Sequence, residues 1–258
     1  MLTTLARRLF RRPAWSVSHE EAVLAALTRP GDAVYDVGAN DGSLAAFAFA
    51  RRGAAVYAFE PVPGPYLKLC RKAKLAGAGS VTPFPFAVAD APGTRPLWVP
   101  AHSDQEASFA AAGGTRVDCP CVTLDGVRAA YRLPPPAVLK LDVEGAEPLV
   151  LRGAGGTLDA RPVVFAEVFA PWLARLGLAP WDALGPLAAR GYSFLFLVPG
   201  TGLTPFVPSE SRPFPPGFEA GYNVLAHLPE HAARVAAAAA RPVGPTDPPP
   251  VPNTSEHQ

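Results

Sequence analysis

Two apolar runs, each ending in an acid, constrain this chain more than any other feature: AVYDVGANDG at residues 33–42 and AVYAFEP at residues 55–61. Each run reaches a carboxylate, Asp36 or Glu60, at or beside a turn. Strands covered on both faces read as near-continuous apolar runs, and open parallel sheets bind ligands at the carboxyl ends of their strands. Two more runs repeat the pattern: AVLKLDV (137–143) with Asp142 and PVVFAEV (162–168) with Glu167. Charged groups are seldom buried without a partner. Four acids in register at strand ends therefore point to a site rather than to four unrelated caps or ion pairs.

Between these runs the hydrophobic period alternates. A capping box, Ser18 with Glu21, precedes a helix over Ala22–Leu27, which Pro30 and Gly31 stop. Further helices are predicted at Ser43–Arg52, at 65–76 with Gly77 closing it, at 146–152 with Pro148 in its first turn, and at Asp182–Arg190. Strands are predicted at Ala33–Val37, Ala54–Phe59, 137–143, 162–168, 192–198 and 222–228. Residues 81–90 read as one edge strand because of Pro83 and Pro85. Residues 95–99 and 117–124 suit a hairpin, separated by a small-residue loop at 100–116. The alternation predicts an α/β fold with a mostly parallel, doubly wound sheet. The expected organisation is an N-terminal helical segment at 1–30, one domain at 31–230, and a disordered proline-rich tail at 241–258.

The chain has 258 residues, 49% hydrophobic, enough for one large core. A net charge of +1 gives no electrostatic case for nucleic acid. Three cysteines, Cys70, Cys119 and Cys121, make no disulfide framework and no zinc set, so a reducing, cytoplasmic setting and no metal are expected. No apolar run approaches the roughly 18 residues of a membrane span. Residues 1–15 carry Arg7, Arg8, Arg11 and Arg12 among few apolar positions. An ordinary helix or frayed tail is the favoured reading there, with peripheral membrane contact as the alternative.

The first turn carries the chemistry. Glu60 stands about 20 residues after it, where a carboxylate can accept both hydroxyls of a ribose. Gly38 lets the backbone approach a ligand, Gly42 leaves space where the next helix begins, and Asn40 tolerates a left-handed backbone. The dinucleotide pattern G-x-G-x-x-G is absent, since the turn reads Gly38-Ala39-Asn40-Asp41-Gly42. Asp36 and Asp41 flank that turn and would repel a diphosphate. The cationic sulfonium and amino group of S-adenosylmethionine suit them better.

LKLDVEGAE (139–147) is the second strong feature. On a period-two strand Lys140, Asp142 and Glu144 share a face. A lysine in a core strand needs a carboxylate, and Asp142 or Glu167 can supply it; a purely structural ion pair is the competing reading. Glu147 opens the next helix, where an acid suits the dipole. His102, in the small-residue loop, is a weaker candidate base.

Together, YDVGANDG, FEP, VTLD, LKLDVEGAE and FAEV resemble the FkbM family of S-adenosylmethionine-dependent methyltransferases over about residues 33–170. The resemblance implies a Rossmann-like class I methyltransferase fold in three layers, a seven-stranded sheet with the last strand antiparallel. It implies that Asp36, Gly38, Ala39, Asn40 and Gly42 form the methionine-side loop and that Glu60 binds the ribose. Ala89 and Asp90 then contact adenine, and Asp142 lies near the methyl group. Asp41, where many members carry a small or apolar residue, departs from the pattern. The helix after FEP also lacks an asparagine pattern often seen there.

The expected reaction is O-methylation of a sugar, glycolipid or secondary metabolite by in-line displacement. Asp142 is the first choice for a base and Glu144 the second, with Lys140 or Glu167 setting charge state. The acceptor, a small molecule or glycan, is expected to touch residues 100–116 and 201–221. Two alternatives stand beside this reading: a nicotinamide-dependent oxidoreductase on the same sheet, and a non-catalytic binding module that kept the fold.

Overall fold

Side chains alternate across a strand, so each apolar run must be covered on both faces. Val34, Val56, Val138 and Val163 are cross-strand neighbours on one face, and Tyr57, Tyr35, Leu139 and Val164 on the other. The computed structural model describes residues 19–43, 45–76, 80–101, 107–110, 113–198, 201–218 and 221–241. Segment 1–15, Ser18, Gly77, His102 and the tail beyond Arg241 lie outside the described residues.

The central sheet contains β1 (Ala33–Val37), β2 (Ala55–Phe59), β3 (Val81–Phe84), β7 (Val138–Leu141), β8 (Val163–Phe169), β9 (Ser193–Val198), β10 (Gly202–Pro205) and β11 (Gly221–His227). Its order is β10-β9-β11-β8-β7-β1-β2-β3. Strands β3, β2, β1, β7 and β8 are parallel, while β11 runs antiparallel to both neighbours. The expected antiparallel last strand is thus present, but the sheet has eight strands rather than seven. The addition is β10, which folds back on β9. Its four residues, GLTP, are too short and too rich in turn formers to read as a strand.

The 81–90 stretch is also not one strand. After β3 the chain breaks at Pro85, which has no amide hydrogen to donate, and β4 (Ala87–Val88) joins a separate sheet. That sheet has the order β4-β6-β5, with β5 (Gly93–Val99) and β6 (Thr115–Val122) forming the expected antiparallel pair. Cys119 and Cys121 are buried in it as packing groups.

Helices α1 (His19–Leu27), α2 (Ala46–Arg51), α3 (Pro63–Ala76) and α9 (Ala232–Ala239) cover the valine face. The other face is covered by α4 (Leu124–Tyr131), α5 (Glu147–Arg152), α6 (Gly155–Leu158), α7 (Ala170–Arg175) and α8 (Pro180–Ala188). Thr123 starts α4 by accepting the Gly126 amide at 3.0 Å. Helices α1 and α9, one on each side of the 31–230 range, pack into the same core as β1. No helix among the described residues is long and apolar enough to cross a membrane.

Arg234 on α9 joins these two helices. It donates to Leu27 O at 2.9 Å and to Asp32 Oδ1 at 2.9 Å, and also pairs with Asp32 Oδ2. Both side chains are largely buried, so removing one leaves the other uncompensated. Arg234→Ala is expected to lower stability by about 3 kcal/mol, read from urea unfolding; a change within noise would show that α1 and α9 hold together without it.

Candidate active site

A cavity of about 480 Å³ opens at the carboxyl ends of β1, β2, β7 and β8, a size typical of small-molecule sites. At one end Glu60, buried and directly after β2, accepts the amides of Asn40 at 2.8 Å and Val62 at 2.7 Å. These bonds aim its carboxylate and tie the first turn to the second strand. Asn40 has φ 51°, the left-handed conformation expected of it. The amides of Gly38 and Ala39 both donate to Phe59 O at 3.0 Å.

Gly38 is required by the protein itself. At φ 80° a Cβ there would lie 1.8 Å from Asp142 O, so the turn crosses directly over the end of β7. Gly42 makes room differently: a Cβ would meet Phe47 at 2.6 Å and Leu69 at 2.7 Å. It serves packing beneath the turn and does not line the cavity.

The charges follow from strand register. Two residues beyond the valine row, Asp36 and Lys140 are direct cross-strand partners, both buried. The Lys140 ammonium lies 3.3 Å from Asp36 Oδ1 and donates to Asp142 Oδ2 at 3.0 Å. Burial alone would press Lys140 down, but Asp142, Asp36 and Glu20 outweigh it and hold the ammonium above its ordinary value. Burial raises Asp36 despite Lys140. Glu167 belongs to the same face of β8 and rises to about 10 through burial first, then the charges of Asp142 and Glu144.

Glu144 departs from the strand pattern. β7 ends at Leu141, and Glu144 sits in the following turn at φ 53°, yet its residue still lines the cavity. Glu147 shapes that turn: buried, it accepts the Val143 amide at 3.0 Å and the Gly145 amide at 3.4 Å. Asp41 is not a surplus charge at the first turn. Lys72 pairs with it at 2.6 Å and the Ser43 amide donates at 3.0 Å, which together lower its carboxyl against the opposing effect of burial. The excess of acid lies instead around Lys140.

Of the residues expected from sequence, Gly38, Ala39, Asn40, Glu60, Lys140, Asp142, Glu144 and Glu167 line the cavity. Asp36 lies beneath it. Ala89 and Asp90 are displaced from the wall: Ala89 is buried in the small sheet and Asp90 pairs with Arg95 at 2.5 Å. Phe86, Ala87 and Val88, just before them in the chain, line the cavity. Ala107, Phe109 and Leu97 complete that apolar wall. From the 201–221 stretch, Phe206 and Phe214 pack edge-on against Phe196 in the core, and none of its described residues lines the cavity.

Sequence reasoning missed Glu20. It lies on α1 in register with Leu24 and Leu27, both buried, and that i, i+4, i+7 spacing was the available signal. Glu20 reaches the cavity wall and accepts from Asn223 Nδ2 at 3.4 Å. Burial, helped by Asp142 and Asp36, raises its carboxyl to about 7 against Lys140 and Asn223.

A three-layer sheet of this order, with an acid fixed after β2 and a glycine turn after β1, defines a nucleoside-binding α/β enzyme of the Rossmann-like methyltransferase class. The methyltransferase FkbM domain model matches residues 36–194, and the chain belongs to that family. It is an S-adenosylmethionine-dependent methyltransferase. The fold is similar to that of an O-methyltransferase from Bacillus cereus in complex with SAH, at 11% identity over 88% of this chain and 90% of that one, TM-score 0.46. It is also similar to a precorrin-6y C5,15-methyltransferase from Geobacter metallireducens, at 13% identity over 79% and 84%, TM-score 0.43. A TehB-like methyltransferase from Corynebacterium glutamicum is similar at 12% identity over 87% and 95%, TM-score 0.44. No curated protein matches the sequence significantly.

Two outcomes test the electrostatics. Lys140→Met leaves Asp36 and Asp142 without their cation and is expected to cost about 3–5 kcal/mol in urea unfolding, most of it regained on adding Asp36→Asn. Glu167 holds a proton in the fold that the unfolded chain has released between pH 4.5 and about 10. Its contribution therefore falls as pH rises through that window, by at most about 1.4 kcal/mol per unit. Glu167→Gln should gain stability relative to the parent from about pH 6 to about pH 9; a flat difference would place the shift elsewhere.

Proposed function

We propose that this methyltransferase acts on a hydroxyl group, carried by a sugar, glycolipid or secondary metabolite. The observation that carries the reading is the polarity of the cavity. One end pairs the fixed acid Glu60 with an apolar wall of Phe86, Val88, Leu97 and Phe109, which suits a ribose and a flat base. The other end brings Glu20 and Asp142 to Lys140, with Glu144 and Glu167 beside Asp142. Asp142 suits the cationic methionine portion of the cofactor, and Glu20 and Glu167, toward β11, can accept hydrogen bonds from acceptor hydroxyls.

S-adenosylmethionine, when bound, supplies a methyl group already activated on a sulfonium. The chain's residues align the acceptor oxygen and exclude water. Gly38, Ala39 and Asn40 hold the methionine side, Glu60 accepts the ribose hydroxyls, and Asp142, fixed by Lys140, stands beside the transferred group. Acceptor contacts from the 100–116 loop come through Ala107 and Phe109, where Ser108 donates to Glu144 O at 3.2 Å and brings the apolar wall beside the acid end. Phe206 and Phe214, being core groups, leave any contribution of 201–221 to its other residues.

Calorimetry with S-adenosylmethionine tests the cofactor half of this assignment. Glu60→Ala is expected to weaken binding about 100-fold, since two hydrogen bonds to a charged group are lost, roughly 3 kcal/mol. Unchanged affinity would remove Glu60 from the ribose site. Transfer of labelled methyl to form an acid- and base-stable ether tests the hydroxyl half; a methyl ester or methylamine product would overturn it.

A further inference from the structure

The acid row continues past β7 onto strands the cofactor-binding residues do not use. Asn223 on β11 is the direct cross-strand partner of Glu167 on β8, so the two project to one face. Helix α1 lies across that same face and sets Glu20 over the row, where Asn223 holds it at 3.4 Å. Glu60 and the first turn occupy the opposite end, on β2 and β1. Glu20 thus faces the part of the cavity left for the acceptor. Asp142, the first choice for a base from sequence, already accepts the Lys140 ammonium at 3.0 Å.

We propose that Glu20, held by Asn223, is the catalytic base that takes the acceptor hydroxyl's proton. The inference rests on the hydroxyl reading above. Forming the C–O bond as the C–S bond breaks leaves a neutral thioether and one proton from the hydroxyl; Glu20 accepts that proton and passes it to solvent. The groups facing Glu20 are Lys140 of β7, Asp142 just after it, Asp36 of β1 and Asn223 of β11. Burial and the two aspartates keep it near neutrality, where a base works best.

The experiment uses the full chain with S-adenosylmethionine and three kinds of hydroxyl probe: methyl glycosides, a glycolipid in micelles, and catechol. With any probe that is methylated, kcat should rise with pH through an inflection near 7. Glu20→Gln should lose about 100-fold in kcat and the acidic limb, while S-adenosylmethionine affinity by calorimetry stays within about two-fold, which also shows the variant folded. Glu20→Asp should restore part of the rate. Asn223→Ala, which removes a donor to the ionised form, should move the acidic limb up by as much as about one pH unit. Full turnover by Glu20→Gln, or an unchanged profile, overturns the assignment while leaving the hydroxyl reading intact. A Glu20→Gln loss of cofactor affinity above about ten-fold, or about 1.4 kcal/mol, would place Glu20 on the cofactor and also overturn it. If the parent protein methylates none of the probes, both the hydroxyl reading and the role of Glu20 fall.

Discussion

A buried ammonium surrounded by more carboxylates than it can neutralise is the constraint from which the site follows. Lys140 is 2% exposed and Asp36 beside it 0%. Withdrawing such charges from water is costly, and the pair persists because strand register places them together. Lys140 also fixes Asp142, whose backbone carbonyl lies so close under the first turn that only glycine fits at position 38. One lysine thereby orders the ends of β1 and β7. The remaining acids, Glu20 and Glu167, are held with raised affinity for protons. With Asp36 and Asp142 facing a single ammonium, the site favours a ligand that brings positive charge, as a sulfonium with an amino group does.

The sheet also sets the scale of the site. Strands are about 4.8 Å apart, so the three steps from β2 to β8 separate Glu60 from Glu167 by roughly 14 Å. Along that line the cavity wall passes from Glu60 through the first turn and Lys140 to Glu167. Each residue pair in the row is two positions beyond an apolar pair, so the core-forming pattern and the site-forming pattern are one pattern read at different heights on the strands.

Much of this was legible because strand ends announce themselves: an apolar run that closes on Asp36, Glu60, Asp142 or Glu167 is hard to explain without a site. The alternation of strands with helices likewise identified the mostly parallel sheet. What could not be read depended on chain breaks and on distant packing. Ala89 and Asp90 were displaced by a break at Pro85 whose consequence, a change of sheet at Ala87, has no local signature. Strand β10 hides in a four-residue glycine- and proline-containing segment. Asp41 looked like uncompensated charge because Lys72, its partner, lies 31 residues away. Glu20 was obscured because its neighbour Glu21 completes a capping pattern; its spacing with Leu24 and Leu27 marks the buried face, while its partner Asn223 lies 203 residues on.

That last separation bears on how the protein comes to be folded. Asp32 and Arg234, 202 residues apart, fasten the first described helix to the last. Closing so long a loop costs entropy that local pairing does not repay. Residues 33–198 contain every parallel strand of the central sheet, and they leave the ribosome before α9. The Glu60 end of the cavity can therefore assemble during synthesis, whereas the wall bearing Glu20 is clamped only after the final helix arrives. Residues from the two far ends of the described chain thus meet at one wall of the cavity, and that wall is complete only once the last strand and helix have been made.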